Sequence, residues 1–106
     1  MVLIILENVP ASLKGELSRW LMEIKAGVFL GRVSAIVRES LWERCNSGLR
    51  DGGCLLIHNA PTEQGFTVRS AGNLSRELVD HDGLYLLRRP IKGFTLPKAA
   101  KDTTDT

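Results

Sequence analysis

Residues 2–10 read VLIILENVP, and the fold is decided there. Val2 to Leu6 is an unbroken apolar run rich in β-branched side chains, the pattern of a strand buried on both faces. The run stops at Glu7-Asn8, and Pro10 then suits the first turn of a helix, where its missing N–H costs nothing. Leu13, Leu17, Trp20, Leu21 and Ile24 follow at helical spacing, so a helix is expected to run through them to a stop at Gly27. The chain thus opens with a buried strand that hands over to an amphipathic helix.

Beyond that opening the elements are short. Val28-Phe29-Leu30 reads as a strand closed by Gly31. Ser34 suits the N-cap of a second helix, whose apolar stripe is Val37, Leu41, Cys45 and Leu49 with Trp42 beside it, and Gly52-Gly53 is its expected end. Residues 54–57 read as a buried strand, residues 60–64 with Pro61 as a loop, and residues 66–69 as a half-exposed alternating strand. Asp82-Gly83 reads as a tight turn before a last apolar strand at residues 84–87. That strand has few local partners, and the edge of a neighbouring chain's sheet is one way to satisfy it. The order strand, helix, strand, helix, strand, strand, strand predicts an α+β sandwich, two helices on one face of a mostly antiparallel sheet. The shape is that of a ferredoxin-like plait, although this strand count does not match the simplest βαββαβ form.

The chain has 106 residues, which fits one small domain that buries a limited share of its surface, so a homodimer is expected. The domain is placed at residues 1–87 and a C-terminal segment, expected to be disordered at its end, at 88–106. Residues 1–87 carry nine Lys/Arg against ten Asp/Glu, and residues 88–106 carry five against two. The net charge of +2 therefore does not announce a nucleic-acid binder, and any such surface must come from local clustering or from two chains side by side. No apolar run approaches the ~20 residues of a membrane span, and residues 2–6 are too short for a signal peptide's apolar core. A cytoplasmic protein with no membrane partner is the expectation. Cys45 and Cys54 lack metal-ligand spacing and read as two small buried apolar groups without a disulfide.

A set of motifs then carries a resemblance. Glu7-Asn8-Val9-Pro10 is followed by Leu13, Gly15, Leu17 and Trp20. Residues 23–34 read EIKAGVFLGRVS, with Arg38-Glu39, Trp42-Glu43, Thr62-Glu63, Gly65-Phe66 and Asp82-Gly83-Leu84 further on. Over residues 2–87 this resembles the Cascade-type (I-E) branch of CRISPR-associated protein two. The combination of ENVP, AGVFLG and DGL at these separations is specific, while any one alone would be weak.

The resemblance implies a ferredoxin-like homodimer that sits between two dimers of the CRISPR integrase. It implies a scaffold that holds double-stranded invader DNA during spacer acquisition, with strand transfer left to the integrase. The alternative is a Mg²⁺-dependent endonuclease acting on RNA or DNA, so whether the chain is an enzyme stays open. The scaffold role requires no cofactor.

Glu7 is the candidate metal ligand and catalytic carboxylate of that alternative, since a carboxylate at a strand's C-terminal edge can ligand Mg²⁺ and such cleavage needs a metal-activated water. One carboxylate per chain is a thin active site, and capping of the first helix by Glu7 and Asn8 is the competing role. Glu63 resembles a second acidic position, though a loop carboxylate is usually just solvated. Asp80-His81-Asp82 and His58 read as turn and strand residues before they read as metal ligands. For DNA, Lys14 and Arg76 resemble the family's backbone-contacting arginines, while Ser12, Ile36 and Ser75 stand where the pattern is basic. Arg19, Arg38 and Arg69 are the remaining candidates. Contact through phosphates alone would be sequence-independent and salt-sensitive, which suits a scaffold that must accept any sequence. Arg88, Arg89 and Lys92, with Phe94 and Leu96 among them, form the candidate docking segment for the integrase.

Overall fold

The computed structural model describes residues 1–75 in full and the backbone of residues 77–81 and 84–88. Two compact units divide the chain, one from Met1 to Leu74 and a second that begins at Ser75. The first contains β1 (Val2–Glu7), α1 (Ala11–Leu17), β2 (Met22–Lys25), β3 (Val28–Gly31), α2 (Ala35–Gly48), β4 (Gly53–Asn59) and β5 (Phe66–Gly72). The second contains β6 (Glu77–His81) and β7 (Leu84–Arg88).

The five strands of the first unit form one sheet in the order β2-β3-β1-β4-β5, with every neighbouring pair antiparallel. Through β4 the elements run βαββαβ, and β1 lies centrally between β3 and β4. Each helix therefore crosses over one intervening strand: α1 carries the chain from β1 to β2 past β3, and α2 from β3 to β4 past β1. That is the ferredoxin-like plait, extended by β5 at one edge, and the expected fold class holds.

The first helix is shorter than its spacing predicts. α1 ends at Leu17, and the Ser18 hydroxyl donates to the carbonyls of Lys14 at 2.9 Å and Gly15 at 3.3 Å, so the side chain competes for the backbone where the helix stops. Of the five residues expected on one helical face, Leu13, Leu17 and Leu21 enter the core, while Trp20 and Ile24 are more than half exposed. Residues 22–25 are instead the strand missing from the sequence-based count. Gly27 is not a helix stop. It takes a φ of +80° in the tight turn between β2 and β3, where Leu6 N–H donates to its carbonyl at 2.7 Å. A Cβ at Gly27 would stand 2.5 Å from the Leu6 carbonyl oxygen, so the turn needs glycine for space as well as for φ.

The second helix begins as expected, with the Ser34 hydroxyl accepting from Val37 N–H at 3.2 Å. Its end comes at Gly48 rather than at Gly52-Gly53. Those two glycines serve a close approach of backbones: a Cβ at Gly52 would lie 2.3 Å from the Glu7 carbonyl oxygen and 2.4 Å from that of Asn8.

Alternation along β1 puts Val2, Ile4 and Leu6 in the core beneath the helices and leaves Leu3 and Ile5 half-buried on the other face. Phe29, Cys54 and Leu56 join them from the neighbouring strands, and Leu13, Leu17, Leu41, Cys45 and Leu49 close the core from above. Each fully buried aliphatic or aromatic side chain here contributes about 1.5–3 kcal/mol relative to exposure. In the second unit, β6 and β7 pair antiparallel with Leu78 opposite Leu87. The strand at residues 84–87, expected to have few local partners, is thus paired with β6, a strand the sequence-based count did not include. The turn expected at Asp82-Gly83 and the tail beyond Arg88 lie outside the described residues.

Candidate functional site

The C-terminal end of β1 is built by crowding. Glu7 is the last residue of the strand, set opposite Gly53 of β4, and Asn8 follows with a φ of 54°. Asparagine tolerates that left-handed conformation better than most residues, which explains its place at a sharp exit. Glu7 is half-buried there. Among the described residues no three acids, histidines or cysteines come together in a way that could hold a metal ion. Mg²⁺ asks for near-octahedral oxygen ligation, usually from one or two carboxylates with substrate phosphates and waters, and Glu7 offers one carboxylate per chain towards such a centre.

The basic candidates separate into two groups. Lys14, on α1, and Arg19, just past its end, make no ion pair among the described residues. Arg38 and Arg69 are occupied. Arg38 Nε donates to Glu39 Oε2 at 3.0 Å, and Arg69 reaches the same carboxylate from β5 with two nitrogens, at 2.8 and 2.6 Å. Arg69 also lies over the Trp42 ring, 5.3 Å from its centroid, a cation–π distance. The Arg69 hydrogen bonds first, and Arg38 after them, hold the Glu39 carboxyl down at about 2. Arg76 lies outside the described residues, as do Arg89, Lys92, Phe94 and Leu96. Arg88 is described only as the last backbone position of β7.

Glu63 is exposed in the loop at residues 60–65, which Thr62 organises: its hydroxyl donates to the Phe66 carbonyl and accepts from Gly65 N–H, both at 3.1 Å. His58 is half-buried on β4, its Nδ1 2.9 Å from the Asn59 carbonyl oxygen. Asp80 and His81 lie in β6. Cys45 and Cys54 are free and fully buried, as expected. The neighbouring Cys54 thiol, together with burial, pushes the Cys45 thiol far up.

Sequence reasoning missed two features. One is the Glu39 carboxylate that ties up Arg38 and Arg69. The i, i+3 spacing of Glu39 and Trp42 on α2 places them side by side, but the pairing with Arg69 spans thirty residues and has no sequence signal. The other is a polar groove between α1 and α2, where Arg44 pairs with Glu16 and Arg50 stands nearby.

A family model described as "CRISPR-associated protein (Cas_Cas2CT1978)" matches residues 1–86. The match covers the whole of the first unit and β6, and runs into β7.

Proposed function

The chain belongs to the CRISPR-associated Cas2 family, and on that premise we propose that it is a non-catalytic, dimeric scaffold for spacer acquisition that grips invader DNA by its backbone and bridges integrase dimers. The observation that carries this reading is a pair of cations on and just beyond α1, Lys14 and Arg19, that make no ion pair among the described residues. Lysine and arginine free of carboxylates are available to phosphates, and phosphate contacts carry no sequence information, as a scaffold for arbitrary DNA requires.

The single carboxylate of Glu7 supports a scaffold over a nuclease, because hydrolysis of a phosphodiester needs a held metal or a positioned base as well as an acid. Among the described residues no helix is long and apolar enough to cross a membrane. Docking on the integrase is assigned to the segment from Arg88 through Arg89, Lys92, Phe94 and Leu96, where apolar anchors sit among cations.

The test is integration of short duplex DNA into a repeat-bearing plasmid by this protein and its integrase. Glu7→Ala should integrate as wild type does, and a Lys14/Arg76 double alanine should fail, most clearly at high salt. Loss of integration by a folded Glu7→Ala protein would instead give the carboxylate a catalytic or metal-binding role.

A further inference from the structure

Between α1 and α2 lies a groove of about 200 Å³. Ser12 and Glu16 line it from α1, Arg44 and Ser47 from α2, and Arg50 from the link into β4. We propose that this groove seats one phosphate of a nucleic-acid backbone, held by the Arg50 and Arg44 guanidiniums and the Ser12 hydroxyl. The inference rests on the DNA-binding reading above and names a contact that reading does not include.

Charge balance is the first support. Two guanidiniums line the groove against one carboxylate, and Glu16 engages only Nη1 of Arg44. Among the described residues the other N–H donors of Arg44 make no side-chain bond, and Arg50 makes no ion pair. Ser47 is spent, since its hydroxyl donates to the Arg44 carbonyl at 3.2 Å, whereas the Ser12 hydroxyl makes no hydrogen bond among the described residues. A guanidinium fork and a neutral hydroxyl match the tetrahedral oxygens of a phosphate, and so small and polar a groove does not suit a base.

The backbone of Arg50 is the second support, and it is independent of charge. Arg50 follows Leu49, the C-cap of α2, with a φ of 53°. Glycine is the usual occupant of the left-handed position after a helix, because a Cβ there is strained. Among the described residues the other left-handed positions hold glycine (Gly27, Gly65, Gly72) or asparagine (Asn8), the residues that tolerate that conformation best. An arginine at this one holds a strained backbone in exchange for a side chain placed at the groove, and such an outlier points to function. A cation is also favoured at a helix C-terminus by the helix dipole. That contribution acts on folding rather than on DNA, and the experiment separates the two.

The experiment measures binding of the full chain to a short fluorescent duplex by anisotropy across a salt series, for wild type, Arg50→Gly and Arg50→Lys, with a thermal melt of each. Arg50→Gly relieves the strained φ and should fold at least as stably as wild type. It should bind the duplex about three- to tenfold more weakly, with the slope of log K against log salt shallower by about one. Arg50→Lys keeps the charge and should keep the slope. An Arg50→Gly protein with wild-type affinity and slope overturns the phosphate site while leaving the scaffold reading standing. A wild type that binds no duplex overturns both. A parallel NMR titration with inorganic phosphate distinguishes the ligand's source: shifts at the Ser12 and Arg50 amides combined with unchanged duplex binding by Arg50→Gly would make this a free-anion site and overturn its assignment to nucleic acid.

Discussion

Arg69 on β5 holds Glu39 on α2 by both terminal nitrogens, at 2.8 and 2.6 Å, while its guanidinium lies over Trp42 of the same helix. Arg69 stands opposite Leu56 in the β4–β5 ladder, and Leu56 is fully buried beneath the helices. The arginine therefore rises on the helix side of the edge strand and fastens α2 to it. Both side chains keep solvent contact, so the pair is worth roughly 1 kcal/mol or less after screening, at the favourable end for its bidentate geometry.

That pair sets a pH dependence. The folded-state Glu39 carboxyl titrates at about 2, below its ordinary value of 4.5. A depressed acid stabilises the fold fully above its unfolded pKa and loses that contribution as pH falls through the folded one. Glu39→Gln should therefore be less stable than wild type at neutral pH in urea unfolding. The gap should close as pH falls from 4.5 towards about 2. A gap of constant size across that range would mean that the carboxylate's charge is not what stabilises.

Two glycines should respond to alanine in opposite directions. At Gly52 the new Cβ would meet two backbone carbonyl oxygens, at 2.3 and 2.4 Å, and the nearer belongs to Glu7, which is paired with Gly53 in the β1–β4 ladder. Gly52→Ala should cost about 2 kcal/mol or more. Gly15 sits inside α1 with nothing within 4 Å of its added Cβ, so Gly15→Ala should stabilise by about 0.5–1 kcal/mol through helix propensity. Chemical denaturation of both variants beside wild type checks the sign of each.

These positions also show what the sequence disclosed and what it hid. β1 and the core stripe of α2 were legible, because an apolar run and a 3.6 period each have few alternative readings. β2 was hidden because Leu17, Trp20, Leu21 and Ile24 mimic helical spacing, while the alternation of Met22 and Ile24 is only four residues long. Leu21 does reach the core, but from the turn before a strand. β6 was missed for a similar reason: Leu78 and Val79 are adjacent and set no period. At the candidate site, Glu7 was legible as a strand-end acid. The capture of Arg38 and Arg69 by Glu39 was not, since it depends on where a helix settles over a sheet.

The two cysteines give a prediction about access. Cys45 and Cys54 have no exposed surface, and the neighbouring Cys54 thiol with burial drives the Cys45 thiol away from its reactive thiolate. Neither should react with a thiol-specific chromogenic reagent in the native protein except through unfolding, and both should react at once in denaturant. Rapid labelling of one thiol in the folded chain would show that α2 opens locally from β4.

The same carboxylate that fastens α2 also divides the candidate DNA contacts. Arg69 is engaged through two hydrogen bonds and a ring contact, so a phosphate would have to displace Glu39 to use it. Lys14 has no such competitor among the described residues. Arg69→Ala should lower the melting temperature and leave the salt dependence of duplex binding unchanged. Lys14→Ala should change stability by no more than about 0.5 kcal/mol, as an ordinary surface substitution does. It should make the slope of log K against log salt shallower by about one, as loss of a single phosphate contact does. If Arg69→Ala flattened the slope as well, the Glu39 pairing would have to give way on DNA, and the depressed carboxyl of Glu39 would return towards its ordinary value in the complex.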